Sequence, residues 1–227
     1  MSLEALQRVA AAGADFVEVG VPFSDPLADG PTIQRTTQTA LEQGMTLPRV
    51  LALIRDAALR APVIIMTYLN PVLAYGVDRF VTDAQAAGAA GVLFTDLPAG
   101  VDPGVEATVT NSPLALIRLV APTTDDRRLA SAVQGATGFV YLISRLGVTG
   151  ARDQVPADLE ANVRRIRQVS PVPVAVGFGI GTPAQAAAAA RYADGVVVGS
   201  ALMDALAQGG VAAMERLTRE LAAAVHA

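Results

Sequence analysis

The sequence contains no cysteine and no lysine, and its single histidine is His226, next to the last residue. Without cysteine there is neither a disulfide framework nor a thiolate nucleophile. Without lysine no side-chain amine is present to form a Schiff base, which excludes lysine-type aldolase chemistry. A zinc site would consist of carboxylates alone, which zinc rarely accepts. We therefore expect no zinc site and no pyridoxal phosphate bound to a lysine of this chain, and acid–base chemistry falls to Asp, Glu or Tyr.

Basic clusters and long apolar runs are missing as well. The net charge is −4, and basic residues are not interleaved with aromatic ones as at a nucleic-acid surface. No apolar run approaches the roughly 20 residues of a membrane span, and no secretion signal is seen. We expect a cytoplasmic protein that acts on a small molecule. With 227 residues, 52% of them hydrophobic, one domain over residues 1–227 is predicted.

Short β-branched segments alternate with longer alanine-rich segments, which is typical of βα units on a parallel sheet. The predicted strands are 15–20, 63–66, 91–95, 114–119, 139–143, 172–176 and 195–198. The predicted helices are 3–12, 47–60, 77–87, 125–134, 159–169, 183–191 and 211–225. The expected fold class is α/β, a TIM (β/α)8-type barrel in which the first of eight strands is not seen. A seven-stranded open sheet is the alternative, but only a barrel would bring all the strand ends together.

The segment EVGVPFSDPLADGP leaves the first predicted strand and has the composition of an active-site loop. Alternation along the strand places Phe16 and Glu18 on one face and Val17 and Val19 on the other. We expect the valines to face the helices and Glu18 the barrel interior, where desolvation raises a carboxyl pKa and suits a general acid. The alternative is a structural carboxylate held by an arginine such as Arg118.

Two aspartates, Asp25 and Asp29, follow in the same loop. Loop aspartates more often cap turns or helices than react. Glu18 and Asp29 nevertheless form a pair that would address opposite sides of one substrate, one from a strand end and one from its loop.

Three glycine turns follow late strands: 147–150, 177–181 and 199–200. Such loops bind phosphate through backbone N–H groups and a helix N-terminus, without lysine. Glycine also simply permits tight βα turns. Three turns together, with Ser200 opening a helix, favour phosphate. Tyr141 is predicted to point inward, as either a core residue or a site residue. Four apolar residues at or near strand ends would belong to the core or line a flat pocket: Met66, Leu93, Leu119 and Phe178.

The motifs EVGVPFSDPLADGP, YLISRLGVTG, GFGIGTPAQ and VVVGSAL occur in this order, and with them the chain resembles the tryptophan synthase alpha subunit family. The resemblance covers essentially the whole chain. It implies cleavage of indole-3-glycerol phosphate to indole and glyceraldehyde 3-phosphate, a retro-aldol reaction in L-tryptophan biosynthesis that needs neither Schiff base nor metal.

The resemblance also implies a role for each matching residue. Glu18 would protonate indole C3 and then help to deprotonate the glycerol hydroxyl, Asp29 would accept a hydrogen bond from the indole N–H, and Tyr141 would position Glu18. The implied phosphate-binding residues are Thr149, Gly150, Gly179, Gly199 and Ser200. The implied indole pocket consists of Met66, Leu93, Leu119 and Phe178.

The family's partner is a beta subunit that carries pyridoxal phosphate and receives indole within an α2β2 heterotetramer. By resemblance, the partner interface would include Asp25, Pro26, the 68–71 loop with Tyr68 and Asn70, Asp96 and Pro98. Family members begin with a short helix and a first strand ahead of the helix at which this sequence begins. That difference motivates an alternative function, an N-terminally truncated and catalytically impaired alpha subunit that activates the beta subunit without cleaving substrate. Another phosphate-binding isomerase or epimerase is disfavoured, because EVGVPFSDPLADGP has no role there.

Overall fold

The computed structural model describes residues 1–143, 158–177 and 179–227. Its strands are parallel and follow the chain order β1 to β7 within one sheet. They are Val17–Gly20, Val63–Thr67, Ala89–Phe94, Ala115–Val120, Val140–Ile143, Val174–Gly177 and Gly195–Val196. Every predicted strand overlaps one of these, which confirms the α/β class with one parallel sheet.

Ten helices, α1 to α10, occupy the described part of the chain. They are Ser2–Ala11, Pro31–Glu42, Leu47–Ala57, Leu69–Tyr75, Val77–Ala86, Pro103–Thr110, Asp126–Ala132, Leu159–Arg167, Pro183–Ala190 and Ser200–Val225. The last one is broken at Gly210, whose φ of 68° and ψ of −169° are not helical. None of these helices is long and apolar enough to cross a membrane.

The sheet curls into a barrel wall rather than lying open. Phe16 immediately precedes β1 and Phe139 immediately precedes β5, yet their ring centroids are 5.1 Å apart. In a flat sheet, strands four positions apart would be separated by roughly 19 Å. Arg8 of α1 also reaches Glu215 of α10 at 3.5 Å, so helices at the two ends of the chain meet. The open-sheet alternative is therefore wrong.

Apolar side chains fill both faces of this curled sheet. The outer face of β1 packs Val17 and Val19 into a core with the helices, as the alternation predicted. The inner face holds a separate cluster to which each strand from β2 to β6, and the residue after β7, contributes: Ile64, Leu93, Ile117, Tyr141, Ala175 and Val197. The inward-facing side chains of the strands thus form a packed barrel core, and the loops that follow the strands lie at the C-terminal end of the barrel.

The sequence did not predict helices α2, α4 and α6. For the first half of α10, it predicted only that a helix starts at Ser200. Helix α2 buries none of its residues fully, so it lacks the apolar stripe that marks a packed helix. Helix α4 carries Pro71 at its third position, and in a sequence such a proline indicates a turn. The first turn of a helix tolerates proline, because an N–H at that position has no partner within the helix. Helix α6 starts at Pro103 after Asp102, whose side chain accepts a hydrogen bond from the Val105 N–H.

Candidate active site

Glu18 lies on the inner face of the barrel wall. In β1 it is in register with Ile64 of β2, a member of the inner cluster, and side chains in register on parallel strands share a face. Its Oε1 is buried and has no hydrogen-bond partner among the described residues. Desolvation by burial raises the pKa of Glu18 from its usual 4.5 to about 7. The carboxyl is therefore about half protonated at neutral pH, as a proton donor and acceptor requires.

Arg118, the arginine named in the alternative interpretation of Glu18 as a structural carboxylate, does not hold Glu18. Arg118 pairs with Glu106 and donates from Nε to the Gln134 carbonyl oxygen at 3.0 Å. This buried pair ties β4 to α6 on the other side of the sheet wall. Glu106 Oε1 accepts from the Gly100 N–H at 2.7 Å, so the pair also holds the loop after β3.

Tyr141 is the titratable neighbour of Glu18 inside the barrel. It lies in β5 and is almost entirely buried. Burial raises the pKa of Tyr141 well above its usual 10, and the negative charge of Glu18 raises it further, which places the two groups within electrostatic range of each other. The phenol thus stays protonated and able to donate a hydrogen bond. Its ring fills space that Gly177 of β6 leaves empty.

Asp29 lies in the loop between β1 and α2, facing Tyr68 at the end of β2. Its Oδ2 accepts a hydrogen bond from the Tyr68 hydroxyl at 3.1 Å, and the same hydroxyl accepts from the Ala28 N–H at 2.9 Å. Burial raises the pKa of Asp29, and the Tyr68 hydrogen bond opposes that rise. Sequence reasoning placed Tyr68 only at a partner interface. No sequence pattern pointed to its contact with Asp29, because the two residues are 39 positions apart.

Three of the four predicted pocket residues line the barrel interior. Leu93 belongs to the inner cluster, and Met66 and Leu119 pack against it while remaining partly accessible. Leu119 is in register with Tyr141. The structure thus brings an apolar wall next to the titratable groups. Phe178, the fourth residue, lies outside the described residues.

The late glycine turns differ in how their helices begin. Helix α9 is capped by its own side chains, because Thr182 and Gln185 form a reciprocal capping box. Helix α10 begins at Ser200 after Gly199 without a side-chain cap. No side chain of the described residues therefore satisfies its first N–H groups, and the helix dipole favours an anion at this end.

Of the other predicted phosphate-binding residues, one lies in the turn after β6 and two lie outside the described residues. Gly179, with a φ of 85°, adopts a backbone conformation that favours glycine. Thr149 and Gly150 lie outside the described residues. No group of three His, Cys, Asp or Glu side chains that could hold a metal is found within residues 1–143, 158–177 and 179–227.

The predicted interface residues surround the loops after β1, β2 and β3. Asp25, Asn70, Asp96 and Pro98 are exposed, Pro26 is half-buried, and Tyr68 is buried. A cavity of about 370 Å³ opens among them, lined by Phe23, Asp25, Leu27, Ala28, Tyr68 and Asp96. Three exposed apolar side chains, one from each of the segments that follow these strands, add to this rim: Leu27, Leu73 and Val101. Exposed large apolar side chains at successive strand ends are typical of an interaction surface.

Comparison with known proteins agrees with this geometry. A family model described as Tryptophan synthase alpha chain matches residues 1–226. The chain is 49% identical over 207 residues to the tryptophan synthase alpha chain of Acidiphilium cryptum, covering 90% of this chain and 75% of that relative. It is 49% identical over 205 residues to that of Carboxydothermus hydrogenoformans, covering 89% and 77%. A structure of Mycobacterium tuberculosis tryptophan synthase superposes with a TM-score of 0.91 at 44% identity, covering 99% of this chain and 86% of that one. The Legionella pneumophila alpha subunit gives 0.89 at 35%, covering 99% and 86%.

Proposed function

This chain belongs to the tryptophan synthase alpha chain family, and we propose that it cleaves indole-3-glycerol phosphate with Glu18 as the acid–base group and Asp29 as the carboxylate that binds the indole N–H. The reaction of the family is this cleavage, which gives indole and glyceraldehyde 3-phosphate and makes the chain a lyase. One observation carries the residue assignment. The Glu18 carboxyl group faces the barrel interior beside Tyr141, has a pKa of about 7, and has one buried oxygen for which the described residues supply no hydrogen-bond partner.

The first step is proton transfer to carbon. Protonated Glu18 donates its proton to indole C3, which becomes tetrahedral, while the ring nitrogen becomes iminium-like. Asp29 accepts a hydrogen bond from the ring N–H and stabilises the positive charge that develops there. A carboxylate on a loop and a carboxylic acid on the adjoining strand suit these different roles. Burial raises the pKa of Glu18 to about 7, whereas at Asp29 the Tyr68 hydrogen bond opposes the rise caused by burial.

The second step breaks the carbon–carbon bond. The glycerol hydroxyl next to C3 loses its proton to the Glu18 carboxylate, its C–O bond becomes a carbonyl, and the electrons of the carbon–carbon bond return to the indole ring. Glu18 ends protonated, so no net proton is consumed. The electron sink lies within the substrate, which is consistent with a chain that has no lysine. A well-placed proton transfer typically contributes about 10²- to 10⁴-fold in rate.

The phosphate anchors the substrate in this proposal. The uncapped N-terminus of α10, with Gly199 and Ser200, supplies backbone donors, and Gly179 contributes from the turn after β6. Thr149 and Gly150 complete the proposed phosphate site. Met66, Leu93, Leu119 and Phe178 form the proposed indole pocket, and Tyr141 donates a hydrogen bond that orients Glu18.

The family works with a beta subunit, to which the pyridoxal phosphate belongs, and the alpha chain carries no cofactor of its own. We propose that the surface around Leu27, Leu73 and Val101 is the docking face in an α2β2 assembly, with Asp25, Pro26, Tyr68, Asn70, Asp96 and Pro98 at or beneath it. Its support is the row of exposed apolar side chains after three adjacent strands. A cytoplasmic location belongs to the same proposal.

The test is indole release from indole-3-glycerol phosphate by the purified chain, with and without a beta subunit. Glu18→Gln keeps the size of the side chain but removes its titration, and we expect the rate to fall by about 10³-fold. Glu42→Gln, on the exposed side of α2, is the matched control and should retain the wild-type rate. A Glu18→Gln rate within a few-fold of wild type would refute the mechanism.

The alternative, a non-catalytic activator of the beta subunit, is not favoured. Its signature would be stimulation of the beta subunit by a wild-type chain that releases no indole. Indole release by the chain, together with the rate of the beta subunit with and without the chain, therefore separates the two functions.

A further inference from the structure

The hydroxyl group of Tyr68 bridges the loop that carries Asp29 to the barrel. It donates to Asp29 Oδ2 at 3.1 Å and accepts from the Ala28 N–H at 2.9 Å. The Tyr68 side chain is buried, at 5% relative exposure, and its ring lies 5.1 Å from that of Phe23. Two consecutive residues of the loop are therefore held by one phenol from the neighbouring strand end.

Tyr68 itself is firmly anchored. Its carbonyl oxygen accepts from the Thr67 hydroxyl at 2.9 Å, and the next N–H, of Leu69, donates to Asp96 Oδ1 at 2.7 Å. By contrast, the backbone bonds around Asp29 are local, such as the Asp29 N–H to the Pro26 carbonyl at 3.0 Å. Tyr68 thus ties a locally bonded loop to the ends of β2 and β3, and a rigid partner of this kind fixes a reacting group in one orientation.

We propose that Tyr68 is a positioning residue for Asp29: by occupying Oδ2, its hydroxyl directs Oδ1 of the carboxylate to the ring N–H of the substrate. This inference rests on the role proposed for Asp29 in indole-3-glycerol phosphate cleavage. A carboxylate free to rotate would present either oxygen at varying angles, whereas one with a fixed Oδ2 presents the other in a constant direction. Tyr68 touches Asp29 and acts on the reaction through it.

The hydrogen bond also affects the charge state of Asp29. Burial raises the pKa of Asp29, and the Tyr68 hydroxyl lowers it by stabilising the carboxylate. Two other carboxylates, Asp25 and Asp96, line the same cavity as Tyr68, and each has its own donor: the Ser24 hydroxyl at 2.5 Å and the Leu69 N–H. Removing the phenol oxygen should therefore shift the titration of Asp29 towards higher pH.

The kinetic test uses Tyr68→Phe, which removes the hydroxyl and keeps the ring against Phe23. We expect kcat for indole release to fall about tenfold, the value of one lost charge-assisted hydrogen bond, while KM changes less than about twofold. The acid limb of the kcat/KM profile should move to higher pH. Tyr75→Phe is the matched control. Tyr75, the last residue of α4, donates a comparable phenol–carboxylate hydrogen bond to Asp83, and losing that bond should leave kcat and the acid limb unchanged.

A second measurement does not depend on activity. In protein labelled with 13C at the aspartate carboxyl carbons, the Asp29 resonance is identified by its loss in Asp29→Asn and then titrated in wild type and Tyr68→Phe. The proposal expects the Tyr68→Phe titration at higher pH than wild type. An unchanged Asp29 titration overturns the proposal whatever the rates are, and so does an unchanged kcat in an active enzyme. A wild-type chain that releases no indole refutes the proposed function instead, and the titration still decides whether Tyr68 holds Asp29.

Discussion

A Cβ atom at Gly177 would lie 2.7 Å from Cζ of Tyr141 and closer still to the phenol oxygen. Gly177 ends β6 in register with Ile143 of the neighbouring β5, and Tyr141 lies two residues before Ile143. Real Cβ atoms do not approach other heavy atoms so closely, so any larger residue at 177 displaces the ring. The absence of a side chain at Gly177 is thus what lets the Tyr141 phenol occupy its place beside Glu18.

Gly177→Ala should therefore lower activity by disturbing Tyr141. We expect kcat/KM for indole release to fall at least about tenfold, since small displacements of positioning groups carry large costs in rate. Steady-state kinetics provide the measurement. Gly195→Ala, in the adjoining strand β7, is the control: its Cβ would meet that of Ala175 at an ordinary 3.5 Å, and its rate should stay within about twofold of wild type. Equal rates for the two variants would contradict this account.

The activity should fall on the alkaline side of neutrality. The first step needs the protonated form of Glu18, whose pKa burial raises to about 7. As pH rises through that value the acid form is lost, so log kcat/KM should decline with an apparent pKa near 7. Initial rates from pH 5.5 to 9.5 would show this limb. A profile that stays flat between pH 6 and 9 would mean that Glu18 is not the proton donor.

The same pKa predicts a dependence of stability on pH. The folded chain holds the Glu18 proton more tightly than the unfolded chain does, so this stabilisation is fully present below about pH 4.5 and is lost as pH rises through about 7. The loss amounts to on the order of 3 kcal/mol. Glu18→Gln lacks it.

Urea unfolding tests this dependence. The stability of Glu18→Gln relative to wild type should increase by about that amount between pH 4.5 and pH 8.5. The control is Glu42→Gln, whose relative stability should not change with pH. A constant difference between Glu18→Gln and wild type would contradict the raised pKa.

The buried pair of Arg118 and Glu106 should be important for folding. Arg118 is 4% exposed and Glu106 is 15% exposed at the side chain, so Glu106→Gln leaves a guanidinium charge unpaired in the interior. We expect the free energy of unfolding to fall by about 3 kcal/mol. Glu160→Gln removes an exposed pair with Arg164 in α8 and should cost less than about 0.5 kcal/mol. Similar losses from both substitutions would show that the Arg118 pair is not effectively buried.

The apolar rim should bind the beta subunit. Leu27 is 93% exposed in the free chain, so Leu27→Ala should leave the unfolding midpoint unchanged. We expect it to raise the Kd for a purified beta subunit about tenfold, as loss of an interface anchor does. Val169→Ala, 39% exposed beyond the C-terminal end of α8, is the matched control and should bind normally. Unchanged affinity in Leu27→Ala would place the interface elsewhere. Calorimetric titration measures the Kd of each variant for the beta subunit.

The sequence alone predicted the seven strands and most of the packed helices, because buried strands and apolar helix stripes leave local patterns of residue type. Alternation in β1 was enough to place Val17 and Val19 against the helices and Glu18 inside. The absence of lysine and cysteine restricted the chemistry by composition alone, since neither a Schiff base nor a thiolate can form without them. Helices without an apolar stripe, as in α2, or with proline in the first turn, as in α4, left no local pattern to recognise.

The tertiary structure decided what depends on residues distant in sequence. Curling of the sheet brought Phe16 to Phe139, which no local pattern encodes, and so distinguished a barrel wall from an open sheet. The tertiary structure also decided the partner of Arg118, because the sequence allowed a pair with Glu18 inside the barrel as well as a pair with Glu106 outside it. The hydrogen bond from Tyr68 to Asp29 and the space that Gly177 leaves for Tyr141 are likewise pairings across strands. Residue type determines which groups can react, but the pKa and orientation of each depend on neighbours that only the folded chain brings within a few ångströms.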